Sequence, residues 1–176
     1  MGSGDLPLTS QTMSRTRSIK FPNTTGELEA LFDKLQRPLS SLVLNTAGLT
    51  IGSSSKPKLK IANTIYAYVE GVLVKKTTAE IVISGTITNA KFNVYVLSID
   101  SAGTVTAQMG TEASTIGGVV FPTIASGSAV IGFAIVNPTG TGPFVGGTTD
   151  LDDATVVPNA VYVNTPYPFL PGMETV

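Results

Sequence analysis

The 176-residue chain has no cysteine, no histidine and no tryptophan. Without cysteine there is no disulfide framework and no thiolate nucleophile. Without cysteine or histidine an ordinary zinc site has no ligands. Without histidine the side chain that most often moves protons near neutral pH is missing. Any chemistry would fall to carboxylates, lysine, tyrosine, serine or threonine. Charge is scarce as well: 13% of residues are charged, about half the usual share of roughly 25%. Long apolar runs are absent. The longest, Ser128–Val136 (SAVIGFAIV), is far short of the roughly 20 residues that a membrane-spanning helix needs. The first twenty residues are polar throughout, without a secretory apolar core, and Leu6 stands where N-myristoylation wants Ser or Thr. A membrane partner is not expected.

What is present points to strands. Hydrophobic residues make up 42% of the chain, enough for one core. There are 24 Thr, 18 Val and 12 Ile, and two heavy atoms on Cβ restrict χ1 in a way that favours extended backbone. The net charge of −1 conceals an asymmetry. Every Lys and Arg lies at or before Lys91, giving residues 1–91 a charge of +5 and residues 92–176 a charge of −6. If the halves occupy different faces the molecule is dipolar, and head-to-tail contacts in an assembly could use that.

The chain reads as two parts: an N-terminal arm with a short helix over residues 1–38, and a β-rich domain over residues 39–176. The arm is rich in Ser and Thr and carries the basic run Ser14–Lys20. Its composition is that of a segment held in place only by contact with something else. Arg15, Arg17 and Lys20 are the candidate arm contacts. Without interleaved aromatics, the run does not predict nucleic-acid binding. A helix follows, with Thr24 as N-cap and Glu27 completing a capping box. Leu28, Leu31, Phe32 and Leu35 form one apolar face, and Pro38 ends the element. Three turns are too short to be stable alone in water, so these four residues are the candidate packing surface at or near an interface.

Beyond Leu39 strands and turns alternate. Leu59–Lys76 reads as a hairpin turning at Glu70-Gly71, followed by a strand at Glu80–Gly85. Lys91–Gly110 is the clearest hairpin, with Gly103 in its Asp-Ser-Ala-Gly turn where a positive φ is wanted. GGVVFP, SAVIGFAIVN and AVYVN supply the remaining strands. In KFNVYVLSI both alternate sets are apolar: Phe92, Val94 and Val96 on one side, Tyr95, Leu97 and Ile99 on the other. Such strands are covered on both faces, by a sandwich interior or by another subunit. The fold class expected is mainly β: an antiparallel β-sandwich, jelly roll or barrel-like domain with an extended N-terminal arm.

Four stretches invite a chemical reading. Thr139–Asp153 (TGTGPFVGGTTDLDD) is crowded with glycine, but no Lys follows Gly146 or Gly147 as a P-loop requires, and the dinucleotide fingerprint fails at Pro143. No EF-hand spacing follows, so a loose cation site at Asp150, Asp152 and Asp153 is the alternative to a turn with a solvated acidic end. Ser53–Lys56 has serine–lysine spacing, but Pro57 forbids the helix that motif must open. The acids mostly occupy turn or helix-surface positions, which leaves paired-carboxylate hydrolysis without a defined pair. Tyr162, Tyr167 and Phe169 are where a glycan platform would be sought, with core packing as the alternative. No catalytic, cofactor or metal residue is assigned, and no cofactor is expected.

The stretches LNTAGLTIGSSSKPKLKIANTIYAYVEGVLVKK, KFNVYVLSIDSAGTVTAQMG and VVFPTIASGSAVIGFAIVNPTGTGPFVGGTTDLDDATV resemble virion structural proteins of tailed bacteriophages, and within that group small capsid decoration (cement) proteins. The resemblance covers roughly Leu42 to Asn164 and consists of Thr/Val/Gly-rich strands, the hairpin closed by DSAG, VFP before a glycine turn, and GGTTDLDDA. It implies a β-rich module on the outer capsid surface of the virion, often trimeric, that braces neighbouring capsomers and has no active site. Its partners would be the major capsid protein and itself, as a homotrimer or another homo-oligomer. A head-fibre or tail component and a carbohydrate-binding β-module are the alternatives.

Overall fold

The computed structural model describes residues 40–158 and 160–166, all within one compact unit, Gln36–Val176. The arm and the helix expected over residues 25–37 lie outside the described residues. Within them the chain is antiparallel β-structure. Its strands are β1 (Ser41–Val43), β2 (Leu49–Ile51), β3 (Lys58–Ile61), β4 (Ile65–Val69), β5 (Val72–Lys76), β6 (Ala79–Val82), β7 (Thr86–Ile87), β8 (Asn93–Asp100), β9 (Val105–Met109), β10 (Ser128–Val136), β11 (Phe144–Val145) and β12 (Val161–Asn164). They form four open sheets, ordered β1-β4-β5, β2-β3-β6, β12-β10-β8-β9 and β11-β7. No sheet closes on itself, so the barrel alternative is set aside.

Two layers follow the order of the chain. The sheets β1-β4-β5 and β2-β3-β6 come from residues before Lys91, and β12-β10-β8-β9 from residues after it. β1 and β4 pack against β10, β2 against β12 and β6 against β9. The side-chain period of two explains how each layer contributes. In β4, Ile65, Ala67 and Val69 are fully buried while Tyr66 and Tyr68 point outward. Those three meet Leu59, Ile61, Tyr95, Leu97, Ile99, Ile131 and Phe144 in the main core. A hydrogen bond from Leu49 N–H to Asn164 Oδ1, 2.9 Å long, ties β2 to β12.

β8 is buried on both faces, as its two apolar sets demand. Tyr95, Leu97 and Ile99 enter the main core. Val94 and Val96 form a second cluster with Val130, covered by Val119, Phe121 and Ile124 from the segment between β9 and β10. The cover is therefore supplied by the chain itself. Phe121 and Phe133 meet edge-on there, with ring centroids 5.2 Å apart and planes at 88°. A bulge in β10 between Val130 and Gly132 makes this sorting work. One extra residue shifts the alternation, sending Phe133 and Ile135 to the second cluster and keeping Ala134 and Val136 in the main core.

The β8–β9 hairpin closes as its sequence demands: Gly103 has φ 79, and Asp100 Oδ1 accepts from the N–H groups of Ala102 and Thr104. Two sequence expectations are corrected. The hairpin at Glu70-Gly71 joins only β4 and β5, because Lys58–Ile61 leaves to pair with β2 and β6; the bend at Ala62–Thr64 breaks the run. GGVVFP is not a strand. Ile116–Gly118 is a 3-10 turn, and Val120 makes one isolated bridge to Thr111, because Val119 and Phe121 are drawn inward over the second cluster.

Candidate interaction surface

β4 carries Tyr-x-Tyr on the side away from the core, and its neighbours extend that pattern. The register sets Leu42 beside Tyr68, Tyr68 beside Leu73 and Tyr66 beside Lys75. Leu44 lies next to Tyr66, donating its N–H to the Tyr66 carbonyl at 2.8 Å. Leu44 is 52% exposed, Tyr66 41%, Tyr68 40% and Leu73 64%. These are apolar side chains in one contiguous sheet face, not scattered singly, and that is the arrangement that marks a contact surface. Lys75 Nζ lies 6.0 Å from the Tyr66 ring centroid, within the range of a cation–π contact. The signal for this face was in the sequence. TIYAYVEGVLV has apolar residues in both alternate sets, as KFNVYVLSI does, and only one set can enter the core.

The stretches that invited a chemical reading are absorbed by the fold. In Thr139–Asp153, Gly140 lies against the chain at Thr155, where an added Cβ would fall 1.7 Å from the Thr155 carbonyl oxygen. Gly146 lies against Ser84, with backbone atoms 3.0 Å from such a Cβ. These glycines permit close backbone approach. The three aspartates do not converge. Asp152 accepts from Lys56 Nζ at 2.7 Å. Asp153 Oδ1 accepts from the hydroxyl and the N–H of Thr155, at 2.6 and 2.8 Å, and the hydroxyl bond holds its carboxyl below the usual carboxylate range. Among the described residues no three Asp, Glu, His or Cys side chains are grouped to hold a metal ion.

Ser53–Lys56 lies in a loop, and its residues go separate ways. Lys56 pairs with Asp152, and that bond holds its ammonium above the ordinary lysine value. Ser53 Oγ accepts from Lys60 Nζ at 2.6 Å. Glu80 clamps the loop from β6, accepting from the N–H groups of Ser53 and Ser54 at 2.7 Å each and from the Ser54 hydroxyl. The hydroxyl bond is the leading cause of its lowered pKa. A Ser–Lys contact is present, then, but its lysine is four positions beyond the motif's and its serine is fixed by a carboxylate clamp. Glu112 is likewise engaged, accepting from Thr88 N–H at 2.8 Å.

Tyr162 lies on β12 and packs against the main core, with burial and then the Asp152 charge pushing its phenol up to about 12. That is a packing role, not an open platform. Tyr167 and Phe169 lie outside the described residues, as do Arg15, Arg17, Lys20, Leu28, Leu31, Phe32 and Leu35. Among the described residues no helix is long and apolar enough to cross a membrane. No family model, no curated protein and no solved structure matches this chain.

Proposed function

We propose that this chain is a non-enzymatic structural protein of a virion, a β-sandwich module that binds the outer capsid surface and stabilises contacts between neighbouring capsomers. The observation that carries the reading is the uncovered Leu44–Tyr66–Tyr68–Leu73 face. Beside it, each polar constellation described above is spent on holding a loop. A molecule so built works by contact, and its effect on a shell is mass action: whatever binds only the assembled state stabilises it. The two packed layers favour a sandwich. The arm residues Arg15, Arg17 and Lys20 are the proposed shell contacts.

The test is binding of the full chain to purified shells that lack it, counted by quantitative gel and imaged by cryo-electron microscopy. Saturation at scores of copies per particle is expected, with at least tenfold weaker binding when Arg15, Arg17 and Lys20 are all changed to Glu. Absence of binding sinks the reading; a handful of copies at one vertex would move the protein to the fibre or tail.

A further inference from the structure

β5 is an edge strand: it pairs with β4 on one side and, among the described residues, with no strand on the other. The turn fixes which of its backbone groups are used. Glu70 and Gly71 alone join β4 to β5, so Val69 and Val72 are a hydrogen-bonded pair, and Ala67–Val74 and Ile65–Lys76 follow at the period of two. The intervening residues of β4 bond to the β1 side instead, as the Tyr66 carbonyl does in accepting from Leu44 N–H. The N–H and C=O groups of Leu73 and Lys75 therefore point away from β4, into the open edge. Such a row is a template for another strand.

The side chains set this edge apart. Val72 and Leu73 are consecutive, so they lie on opposite faces, and they are 47% and 64% exposed. Val72 belongs to the core-facing set with Val69 and Val74, which are buried. A position patterned for burial is thus left half open by its own chain. No other described edge strand exposes a large apolar side chain on each of its faces.

We propose that β5 pairs antiparallel with β5 of a second copy, about a twofold axis that passes through the Val74 pair, normal to the sheet. Elimination fixes the register. Centred on Lys75, the pairing would set like charges directly opposite. Centred on Leu73, it would set Lys75 opposite Gly71, outside the strand. Centred on Val74, it sets Leu73 opposite Lys75 of the second copy, and that pair, formed twice, exchanges both N–H···O bonds. On the other face Val72 lies opposite Lys76 of the second copy, whose aliphatic stem covers it. The Lys75 ammonium does not block the seam, because Nζ is drawn back over its own sheet, 6.0 Å from the Tyr66 ring centroid.

The product is one continuous sheet in which the two exposed tyrosine faces lie side by side. A glycan or a lipid has no ladder of alternating donors and acceptors, so it would leave the Leu73 and Lys75 groups unmatched. A second β5 carries the same groups at the same spacing, with apolar cover for both faces, and an isologous contact closes at two copies. One five-residue edge is smaller than the roughly 800 Å² per partner of a standard interface. The pairing is accordingly concentration-dependent.

Sedimentation velocity of the full chain over a range of concentrations tests this, and the expected result is a monomer–dimer equilibrium. Leu73→Pro removes an N–H that β4 does not use, a change that an edge strand tolerates, and is expected to weaken dimers at least tenfold. Circular dichroism checks that the variant folds. The register is read separately. The chain has no cysteine, and directly opposite residues of this kind of pair have Cα atoms about 4.5 Å apart, within disulfide reach. A Val72→Cys chain mixed with a Lys76→Cys chain is therefore expected to form a disulfide-linked heterodimer at least tenfold faster than Val72→Cys links to itself. If Leu73→Pro unfolds, this cross-link alone decides. A chain that stays monomeric, dimers untouched by a folded Leu73→Pro, trimers in place of dimers, or equal cross-linking in the two samples would overturn the proposal. Shell binding is a separate readout: a monomer that still saturates shells overturns the pairing and leaves the proposed function standing.

Discussion

Two sheets of this molecule face the same problem and solve it differently. β8 and β10 have apolar residues in both alternate sets, and the chain folds Val119, Phe121 and Ile124 back over the second face. β4 also has apolar residues in both sets, yet among the described residues no such segment folds over Tyr66 and Tyr68, which are 41% and 40% exposed. The difference teaches that apolar content does not decide burial. A connection long enough to return does. The link between β9 and β10 spans residues 110–127, whereas β4 and β5 are joined by Glu70 and Gly71 alone. A face closed by its own chain belongs to stability; a face left open is available for association.

The contrast breaks most sharply under truncation. Leu97 on β8 is fully buried in the main core and Leu73 on β5 is 64% exposed. Leu97→Ala is expected to cost about 2–5 kcal/mol, through lost transfer energy and the cavity left behind. Leu73→Ala, measured on the monomer by the same chemical denaturation, is expected to stay within about 0.5 kcal/mol. Equal costs would mean that the outward face is as structural as the core.

The next test is the cover itself. Phe121→Ala removes the edge-on partner of Phe133 and part of the roof over Val94 and Val96. Because Phe121 is half-buried, the expected cost is about 1–3 kcal/mol, below the full buried-aromatic range. Hydrogen exchange should quicken mainly across residues 110–127, since local openings follow local packing. A uniform rise across all sheets would show that the cover and the main core are one cooperative unit.

How much of this was legible follows the same division. The β8–β9 hairpin, the β4–β5 turn and both faces of β8 could be read directly, because turn chemistry and a period of two act locally. The course of Leu59–Ile61 could not. It alternates as β4 does, and only its pairing with β2 and β6 separates it. GGVVFP looked like a strand since Val and Phe favour strands, but the second cluster needed a roof there more than another ladder. β7 and β11, two residues each, are too short to leave a periodic signal. The exposed tyrosine face was missed because its residues alone do not say which of two apolar sets lies outside. The Lys60–Ser53 and Glu80 contacts join separate strands and loops, and spacing along the chain carries no trace of them.

Acid should act on the loops before the sheets. Glu80, Glu112 and Asp153 have carboxyls held below their ordinary values by hydrogen bonds. The folded state then binds fewer protons than the unfolded state. Their stabilisation is complete above the ordinary carboxylate range and is lost as pH falls through it and below. Thermal melts should show a falling melting temperature below about pH 4.5, and Glu80→Gln should shallow that fall. An acid limb unchanged by the substitution would remove the clamp from the account.

The smallest expected effect compares tyrosine inside with tyrosine outside. Tyr95 is 1% exposed, sits edge-on to Phe144 with ring centroids 6.1 Å apart, and has its hydroxyl buried without a hydrogen-bond partner. Burial alone drives its phenol well above the ordinary tyrosine value. A buried hydroxyl that bonds to nothing has lost its water and gained no replacement. Tyr95→Phe keeps the ring and its contact with Phe144 while removing that loss, so it should leave stability unchanged or raise it by up to about 1 kcal/mol. Tyr68→Phe, at a surface hydroxyl, should stay within about 0.5 kcal/mol on the monomer. A clear destabilisation by Tyr95→Phe would mean that the hydroxyl holds a bond in solution. Tyr95 would then be a polar anchor between the layers, and the main core would no longer be the purely apolar counterpart of the open face.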